Sequence, residues 1–451
     1  MTRTNKLIWA LVLGFWMATQ AGVAHTAEPA DSSDTHILLQ EDHELPVVYV
    51  AFHWAVGSER AAADTAALLR CLGSTWSKAG LRDGPGADLL QSQWDSLGVT
   101  VRSWSGQWTS GISFWIPARS LAPTLPLMKR LVLEPVVEET AVRAVRERQE
   151  ASILDRQTDP SSVVEEKILA LLGDDPMPSA EVIDVVHSVD AQALQSLHRN
   201  VLKTTSMWVG AVGDFDASSF RDVFRDLLSN ATGLKSPTSQ RATSEVQPGV
   251  YVLNQDSDQV TIQWGRRIPV TRWSTDFADH ILLSNVLGFG RVFYAIRSKG
   301  LGFDGTAYLN AGDNGAYLMA SGTCRLALAQ DYLSVLRHEL HGRSISPILQ
   351  SELESARLAC LGAMLNLPTK RDILDRRLLF AAGADDSTAF SRYVEGIRKA
   401  TLQHINSHLG SYDLDSTSVL LVAGPADSLR AICEDLKLGP VITLRDVKAD
   451  H

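Results

Sequence analysis

His338, Glu339 and His341 in the stretch RHELHGR are the densest group of potential metal ligands in this chain. Zinc hydrolases commonly hold their metal with two histidines on one helix and a nearby glutamate that activates water, in the spacings HExxH or HxxEH. RHELHGR has neither spacing. Histidine near the carboxyl end of a helix is also stabilised by the helix dipole. We therefore interpret the group as structural, with metal binding there as the alternative.

Glu147 and Glu150 are a second pair that could do chemistry, and they lie in RAVRERQEASILDRQTDP. A helical glutamate can complete a metal site, but only where histidine ligands are also present. On an Arg-rich helix, however, such residues usually form i,i+3 pairs on a solvated face. The sequence favours a solvated face.

Other common reactive motifs are absent from the sequence. Its four cysteines have no CxxC spacing, so the sequence indicates neither a zinc knuckle nor a disulfide framework and leaves a single bridge open: Cys71, Cys324, Cys360 and Cys433. There is no GxSxG, and LGFG at 287–290 lacks the GxGxxG spacing of a phosphate loop. We predict no catalytic residue, no metal ligand and no cofactor.

The first 24 residues predict a secretory signal peptide. MTRTNK is a basic segment, LIWALVLGFWMA is an apolar core, and Gly22-Val23-Ala24 offers a cleavage site. The core is shorter than the roughly 20 residues that span a bilayer, so a retained anchor is the less favoured alternative. We expect a secreted protein, with the bacterial periplasm as the favoured compartment. The net charge of −10 disfavours nucleic acid and anionic membranes as partners.

The two halves of the chain repeat each other around a segment rich in Ser, Thr, Pro and Gly at 228–249. They begin with HILLQED and VYVLNQD, and each continues with a strand, a helix, a Leu-Gly turn, a hairpin, further helices and a buried strand. We predict an α+β fold made by tandem duplication, with domains at 34–227 and 250–447. Each domain would be a mainly antiparallel sheet covered by helices.

This order of elements resembles the insulinase or pitrilysin metallopeptidase family over essentially the whole mature chain. The resemblance rests on the strand ending in Val56-Gly57-Ser58-Glu59, the helix in DTAALLRCLG, SLG at 96–98 and the two repeated halves. Active members carry HxxEH on that helix and a third ligand, a glutamate, about seventy-five residues later. Counted from the Gly57-Ser58 turn, the motif falls on Ala67, Arg70 and Cys71. The resemblance thus implies the fold of a zinc peptidase without its zinc ligands.

The second half of active relatives contributes an Arg and then a Tyr to the substrate carbonyl. In VLGFGRVFYAIRSKGLGFDGTAYL these positions fall on Arg297 and Phe303, and Phe303 has no hydroxyl to donate. Donors of this kind stabilise developing oxyanion charge. Tyr308, on the following strand, is a possible substitute. We expect Arg297 to bind substrate, and a structural salt bridge to Asp304 is the alternative.

The resemblance implies a non-catalytic subunit that pairs with an active, HxxEH-bearing peptidase subunit and helps to form a peptide-binding chamber. Two alternatives stay open. The chain could be a free-standing peptide-binding or scaffolding protein, similar to the core subunits of respiratory complexes, or a peptidase with an unrecognised site. Trp104 belongs to a group of tryptophans in the first half that could line a chamber, although packing is the favoured role for them.

Overall fold

The structure is a computed structural model that describes residues 36–444 except 175–176, 178, 230–243, 303, 341–345, 366–368 and 415. The predicted signal peptide, most of the predicted linker, Phe303 and His341 therefore lie outside the described residues, as do the last three residues of the predicted second domain. The described residues belong to one compact unit that begins at His36.

The first sheet contains five strands from the first half of the chain, in the order β1-β7-β2-β5-β4. Its strands are β1 (Ile37–Glu41), β2 (Val47–Trp54), β4 (Thr100–Ser105), β5 (Ser110–Pro117) and β7 (Met207–Gly213). Strand β1 pairs in parallel with β7, and the other pairs are antiparallel. β3 (Gly80–Leu81) and β6 (Pro135–Val136) form a separate small sheet. Strand β2 reads VVYVAFHW and is buried on both faces, because helices cover the sheet on both sides.

The second sheet contains six strands in the order β10-β11-β9-β12-β8-β13. They are β8 (Gly249–Asn254), β9 (Gln259–Ile268), β10 (Thr306–Ala311), β11 (Ala316–Arg325), β12 (Val419–Gly424) and β13 (Val441–Leu444). In both sheets the first strand of the half pairs in parallel with a strand near the end of that half, and a hairpin forms the far edge. β13 adds a further edge strand to the second sheet. The predicted α+β fold with mainly antiparallel sheets is confirmed.

Eight helices of the first half are described. They are α1 (Ala63–Thr75), α2 (Ala87–Leu97), α3 (Leu121–Leu133), α4 (Glu139–Thr158), α5 (Pro160–Leu171), α6 (Ser179–Ser188), α7 (Ala191–Thr204) and α8 (Ala217–Ser229). Helices α5 and α7 each begin after an aspartate that accepts a hydrogen bond from a backbone N–H of the first turn. The starts of these two helices are thus set by local sequence signals.

The described helices of the second half follow the same order. They are α9 (Phe277–Asn285), α10 (Phe293–Ser298), α11 (Ala329–Leu340), α12 (Gln350–Leu365), α13 (Lys370–Ala384), α14 (Ala389–Lys399), α15 (Leu402–His408) and α16 (Ala426–Asp435). A π-helical segment, Val286–Val292, joins α9 to α10. It contains the LGFG stretch, where a Cβ on Gly288 would lie 1.7 Å from the carbonyl oxygen of Ala307. Because Gly288 has no Cβ, the segment can pack directly against the backbone of β10.

Each half lends one helix to the sheet of the other half. Helix α13 places Leu374, Leu378 and Ala381 on the first sheet, where they pack with Tyr49 and Trp208. In return, helix α5 and the residue after it place Val164, Ile168 and Leu172 on the second sheet. The remaining helices of each half cover the opposite face of their own sheet. Each half therefore buries part of the sheet of the other half.

All four cysteines are buried and unpaired. Among the described residues, no helix is both long enough and apolar enough to cross a membrane.

Candidate functional site

Helix α1 carries the residues that the family resemblance aligns with a zinc motif. Its apolar face is buried in the core of the first half through Ala66, Leu69 and Leu72. Beside that face, a Cβ on Gly73 would lie 2.4 Å from the backbone nitrogen of Ser105, so the helix backbone rests directly on β4. Ser103 fixes the contact, because its Oγ donates to the Gly73 carbonyl (2.7 Å) and accepts from the Ser77 N–H (2.9 Å).

The side chains on this helix cannot hold a zinc ion as the imidazoles of an HxxEH motif would. Ala67 is fully buried and has no donor atom. Cys71 is buried, and burial raises the pKa of its thiol to about 11 although the charges of Arg70 and Arg146 act in the opposite direction. A thiol with that pKa stays protonated near neutral pH, whereas thiolate is the form that binds metals. Arg70 is half-buried and adds positive charge.

Arg146 is a residue of this site that the sequence analysis missed. It lies on α4, 75 residues after Cys71, and it is the α4 residue whose charge acts on the Cys71 thiol. Its guanidinium is held in place by the carbonyl oxygens of Val189 (3.1 Å) and His187 (3.3 Å) and by Glu139 (3.1 Å). Arg146 lies near the family spacing of about seventy-five residues, but an arginine in the sequence carries no signal of a metal ligand.

Glu147 and Glu150 lie on the exposed part of α4, as predicted. Glu147 is exposed, and Glu150 forms an ion pair with His187 of α6, with a distance of 3.0 Å between Oε2 and Nε2. The ion-pair partner of Glu150 thus lies on a neighbouring helix, because α4 packs against α6. It is not the i,i+3 neighbour on the same helix that the sequence predicts. His338 is exposed at the end of α11.

A cleft of about 510 Å³ opens beside α1, between the edge strand β4 and helix α4. Its charged lining consists of Arg70, Lys78, Arg102 and Arg148, and among the described residues that line it none is acidic. Ser74, Ser77, Ser103, Ser105, Gln149 and Trp104 complete the polar and aromatic wall. We call this region the cationic cleft. Among the described residues, the side chains of Lys78, Arg102 and Arg148 make no ion pair or hydrogen bond.

The edge of the first sheet runs along this cleft. β4 pairs with β5 and lies at the end of the strand order, so its other edge has no partner strand among the described residues. An exposed strand edge offers backbone N–H and C=O groups to an extended peptide. The cationic cleft therefore combines an unpaired strand edge with four positive side chains.

Arg297 lies in the second half, exposed at the end of α10. Its guanidinium lies 5.6 Å from the centre of the Phe293 ring, and it forms no ion pair with another described residue. Asp304, the predicted alternative partner, instead accepts hydrogen bonds from the backbone N–H (3.1 Å) and hydroxyl (2.7 Å) of Thr323.

Tyr308 is partly exposed on β10, and burial, with the charge of Glu165 from α5, raises the pKa of its hydroxyl. A raised pKa keeps this hydroxyl protonated and able to donate a hydrogen bond at neutral pH. The position that the resemblance aligns with the family's tyrosine, Phe303, lies outside the described residues.

The two similar sheets and the packing of helix α1 against the edge strand agree with the fold that the sequence resembles, that of the insulinase or pitrilysin type. Comparison with protein families agrees: residues 188–359 match the family model described as the peptidase M16 inactive domain. This match and the fold confirm the predicted resemblance to a non-catalytic member of that family.

Solved structures extend the likeness over most of the chain. The peptidase M16 inactive domain of Pseudomonas fluorescens is 15% identical, with a TM-score of 0.69 over 88% of this chain and 97% of that one. A protease of Helicobacter pylori is 13% identical, with a TM-score of 0.67 over 87% of this chain and 98% of that one. The periplasmic protease PqqL of Escherichia coli is 12% identical, with a TM-score of 0.71 over 87% of this chain but 45% of its own length. No curated protein matched the sequence.

Proposed function

We propose that this chain is a non-catalytic peptidase-like subunit that pairs with an active, HxxEH-bearing zinc peptidase and forms part of the wall of its peptide-binding chamber. The observation that carries the proposal is the state of helix α1. Its packing on β4 through Gly73 and Ser103 is intact, yet the residues aligned with the zinc motif are Ala67, Arg70 and Cys71. This arrangement supports a peptide site that has no metal-binding donor set on α1.

The charges around α1 support a binding role over a catalytic one. Arg70 and Arg146 both act on the Cys71 thiol, and a divalent cation at that point would meet two positive charges. Two unit charges about 4 Å apart interact by roughly 4 kcal/mol at an intermediate dielectric constant, so the repulsion would oppose zinc binding strongly.

The cationic cleft supports a preference for acidic peptide segments. A peptide that adds to the free edge of β4 would place its side chains next to Arg70, Lys78, Arg102 and Arg148. Guanidinium groups bind carboxylates with paired hydrogen bonds. The contrast with the net charge of −10 of the whole sequence supports a specific role for this cationic surface.

The size of one relative, PqqL, supports pairing. This chain spans less than half of PqqL, described as a periplasmic protease, with the same fold. A second chain of similar size would supply the remaining part of a chamber. In such a pair Arg297, exposed and without an ion-pair partner among the described residues, would be available to a substrate held at the partner's zinc. The signal peptide at 1–24 and a periplasmic location are part of this proposal.

Pairing is tested with the tagged chain expressed in its native host. We expect an HxxEH-bearing relative to co-purify in a fixed ratio, and the isolated pair to cleave reporter peptides that this chain alone does not cleave. A chain that purifies without such a relative and still binds peptides would favour the alternative, a free-standing peptide-binding protein.

Binding to the cationic cleft is tested separately on the chain alone, by fluorescence anisotropy. The probes are two labelled peptides of equal length that differ only in Glu or Lys at alternate positions. The Glu peptide should bind more tightly, and the Arg102→Ala/Arg148→Ala variant should weaken it at least tenfold. Arg325→Ala, which changes an exposed arginine outside the cleft, is the control. Equal affinities for the Glu and Lys peptides would contradict the assigned role of the cleft.

A further inference from the structure

A second group of potential ligands lies far from helix α1 in the sequence, where helices α9 and α15 pack together. Asp276 immediately precedes α9, His280 lies on its first turn and His408 is the last residue of α15. Each of the three offers one ligand atom, and these atoms lie within 4.8 Å of one another. Asp279 is next to them, with its Oδ2 4.0 Å from Nε2 of His408.

Tyr412 determines which nitrogen of His280 carries the proton. The Tyr412 hydroxyl donates its single proton to the backbone carbonyl of His280 (2.9 Å). The same hydroxyl lies 3.1 Å from Nδ1 of His280, so in that contact it must accept the Nδ1 proton. The Nε2 atom of a neutral His280 ring is therefore left with a lone pair. Histidines that bind metals are commonly oriented in this way, by a hydrogen bond from the other ring nitrogen.

The lone pair of His280 faces a carboxylate. Nε2 of His280 lies 3.6 Å from Oδ2 of Asp276, and the His408 ring centre lies 4.4 Å from the His280 ring centre. Two electron-rich atoms at this distance repel each other unless a cation lies between them. His280 is 4% exposed, so this contact is shielded from bulk water.

We propose that Asp276, His280 and His408 bind one divalent metal ion of the zinc class. Imidazole nitrogen and carboxylate oxygen are preferred ligands of zinc, at about 2.0–2.2 Å. Tetrahedral ligands at that distance are roughly 3.3 Å apart, so binding requires the three atoms to move closer together. Asp276 and His408 are partly exposed and can rotate toward the fixed His280 ring. Asp279 is positioned to complete the site or to orient His408.

The ion would link two helices of the second half. Helix α15 has only seven residues, and short helices depend on tertiary contacts for their stability. A metal ion that joins His408 to the start of α9 would fix this helix on the domain. The inference is independent of the proposed function, since none of its ligands lies in the cationic cleft.

The test uses the mature protein, treated with a chelator and then titrated with zinc by calorimetry, and with cobalt to record the ligand-field absorption of the bound ion. We expect one ion per chain with a dissociation constant in the micromolar range or lower, and a higher melting temperature with zinc present. His408→Gln and Asp276→Asn, which change the partly exposed ligands, should each weaken binding at least tenfold while far-ultraviolet circular dichroism stays unchanged. His338→Gln, a change to an exposed histidine elsewhere, should have no effect.

Two results would overturn the proposal. One is a chelator-treated wild-type protein that takes up no zinc at micromolar concentration. The other is zinc binding that is the same in wild type and in both ligand variants.

Discussion

Arg60 and Asp313 join the two halves of the chain through a buried ion pair. Nη2 of Arg60 donates to Oδ1 of Asp313 at 3.1 Å, Nε donates to the other carboxylate oxygen, and the side chains are 4% and 10% exposed. The same guanidinium donates to the carbonyl oxygens of Ala55 (3.2 Å) and Gly383 (2.5 Å). Arg60 lies just after the turn that precedes α1, so this contact ties the candidate site to the second half.

Removal of one member of this pair should destabilise the protein strongly. Asp313→Asn or Arg60→Met leaves a buried charge without its partner, and losses of this kind cost roughly 3–5 kcal/mol. The free energy of unfolding in urea measures the effect. Lys399→Ala is the matched control, because it removes an exposed pair with Glu395 and should cost at most about 1 kcal/mol. Equal, small losses for the buried and exposed pairs would contradict this role of Arg60.

The sequence predicts the repeated order of elements well, because the spacing of apolar residues and the turn residues are local signals. It does not predict which sheet a helix covers. The apolar positions Val164, Ile168 and Leu172 mark one face of α5, but nothing in that pattern distinguishes the first sheet from the second. The helices exchanged between the halves, and the pair Arg60–Asp313, join residues that are far apart in the chain and have no local signature.

The exchanged helices change the outcome expected from cleavage of the predicted linker. The Ser-, Thr- and Pro-rich composition of 228–249 favours early proteolysis there. Because α5 covers the second sheet and α13 covers the first, we expect the nicked chain to remain associated. Denaturing electrophoresis should show two fragments of similar size, while native size-exclusion chromatography shows one species. Fragments that separate without denaturant would contradict the shared burial of the two sheets.

His198 should make stability depend on pH. It is buried on α7, where Nε2–H donates to the Val132 carbonyl (3.0 Å) and the ring lies edge-on to Trp76. Burial lowers the pKa of this imidazole to about 4, from 6.5 in an unfolded chain. The unfolded state therefore binds the extra proton first as the pH falls, so stability is full above about pH 6.5 and is lost toward pH 4, by up to roughly 3 kcal/mol.

The change His198→Gln tests this dependence, since glutamine keeps a donor but does not titrate. Urea unfolding of the variant should vary less between about pH 7 and pH 5 than unfolding of the wild type. His338→Gln serves as the exposed control and should keep the wild-type dependence. An identical pH dependence in the His198 variant and the wild type would show that another group is responsible.

The candidate site was partly predictable. The resemblance locates Ala67, Arg70 and Cys71 on one helix, and the structure brings Arg70 to the cleft while it buries the other two. Arg102 and Arg148 come from a strand and a helix that the sequence separates by 45 intervening residues, so their convergence on one cleft depends on packing.

Arg146 should prevent repair of the zinc motif on α1. We expect the triple change Ala67→His, Arg70→Glu and Cys71→His to bind no zinc, because Arg146 keeps a positive charge where active relatives supply a third ligand. Addition of Arg146→Glu should allow binding. Elemental analysis measures the zinc content, in a His408→Gln background so that the second-half site does not contribute. Stoichiometric zinc in the triple variant would contradict this role of Arg146.

Arg297 distinguishes a subunit that takes part in a partner's catalysis from one that only forms a wall. Arg297 is exposed. Among the described residues its guanidinium lies over the Phe293 ring and forms no ion pair, so Arg297→Ala should leave folding and pairing unchanged. If the guanidinium stabilises transition-state charge at the partner's zinc, turnover by the reconstituted pair should fall by up to about a hundredfold. Lys299→Ala, a change to an exposed cation two residues away, is the control and should not affect turnover. The measurement is kcat at matched concentrations of complex. Equal kcat for wild type and Arg297→Ala would remove Arg297 from the mechanism and leave the cationic cleft as the proposed contribution of this chain.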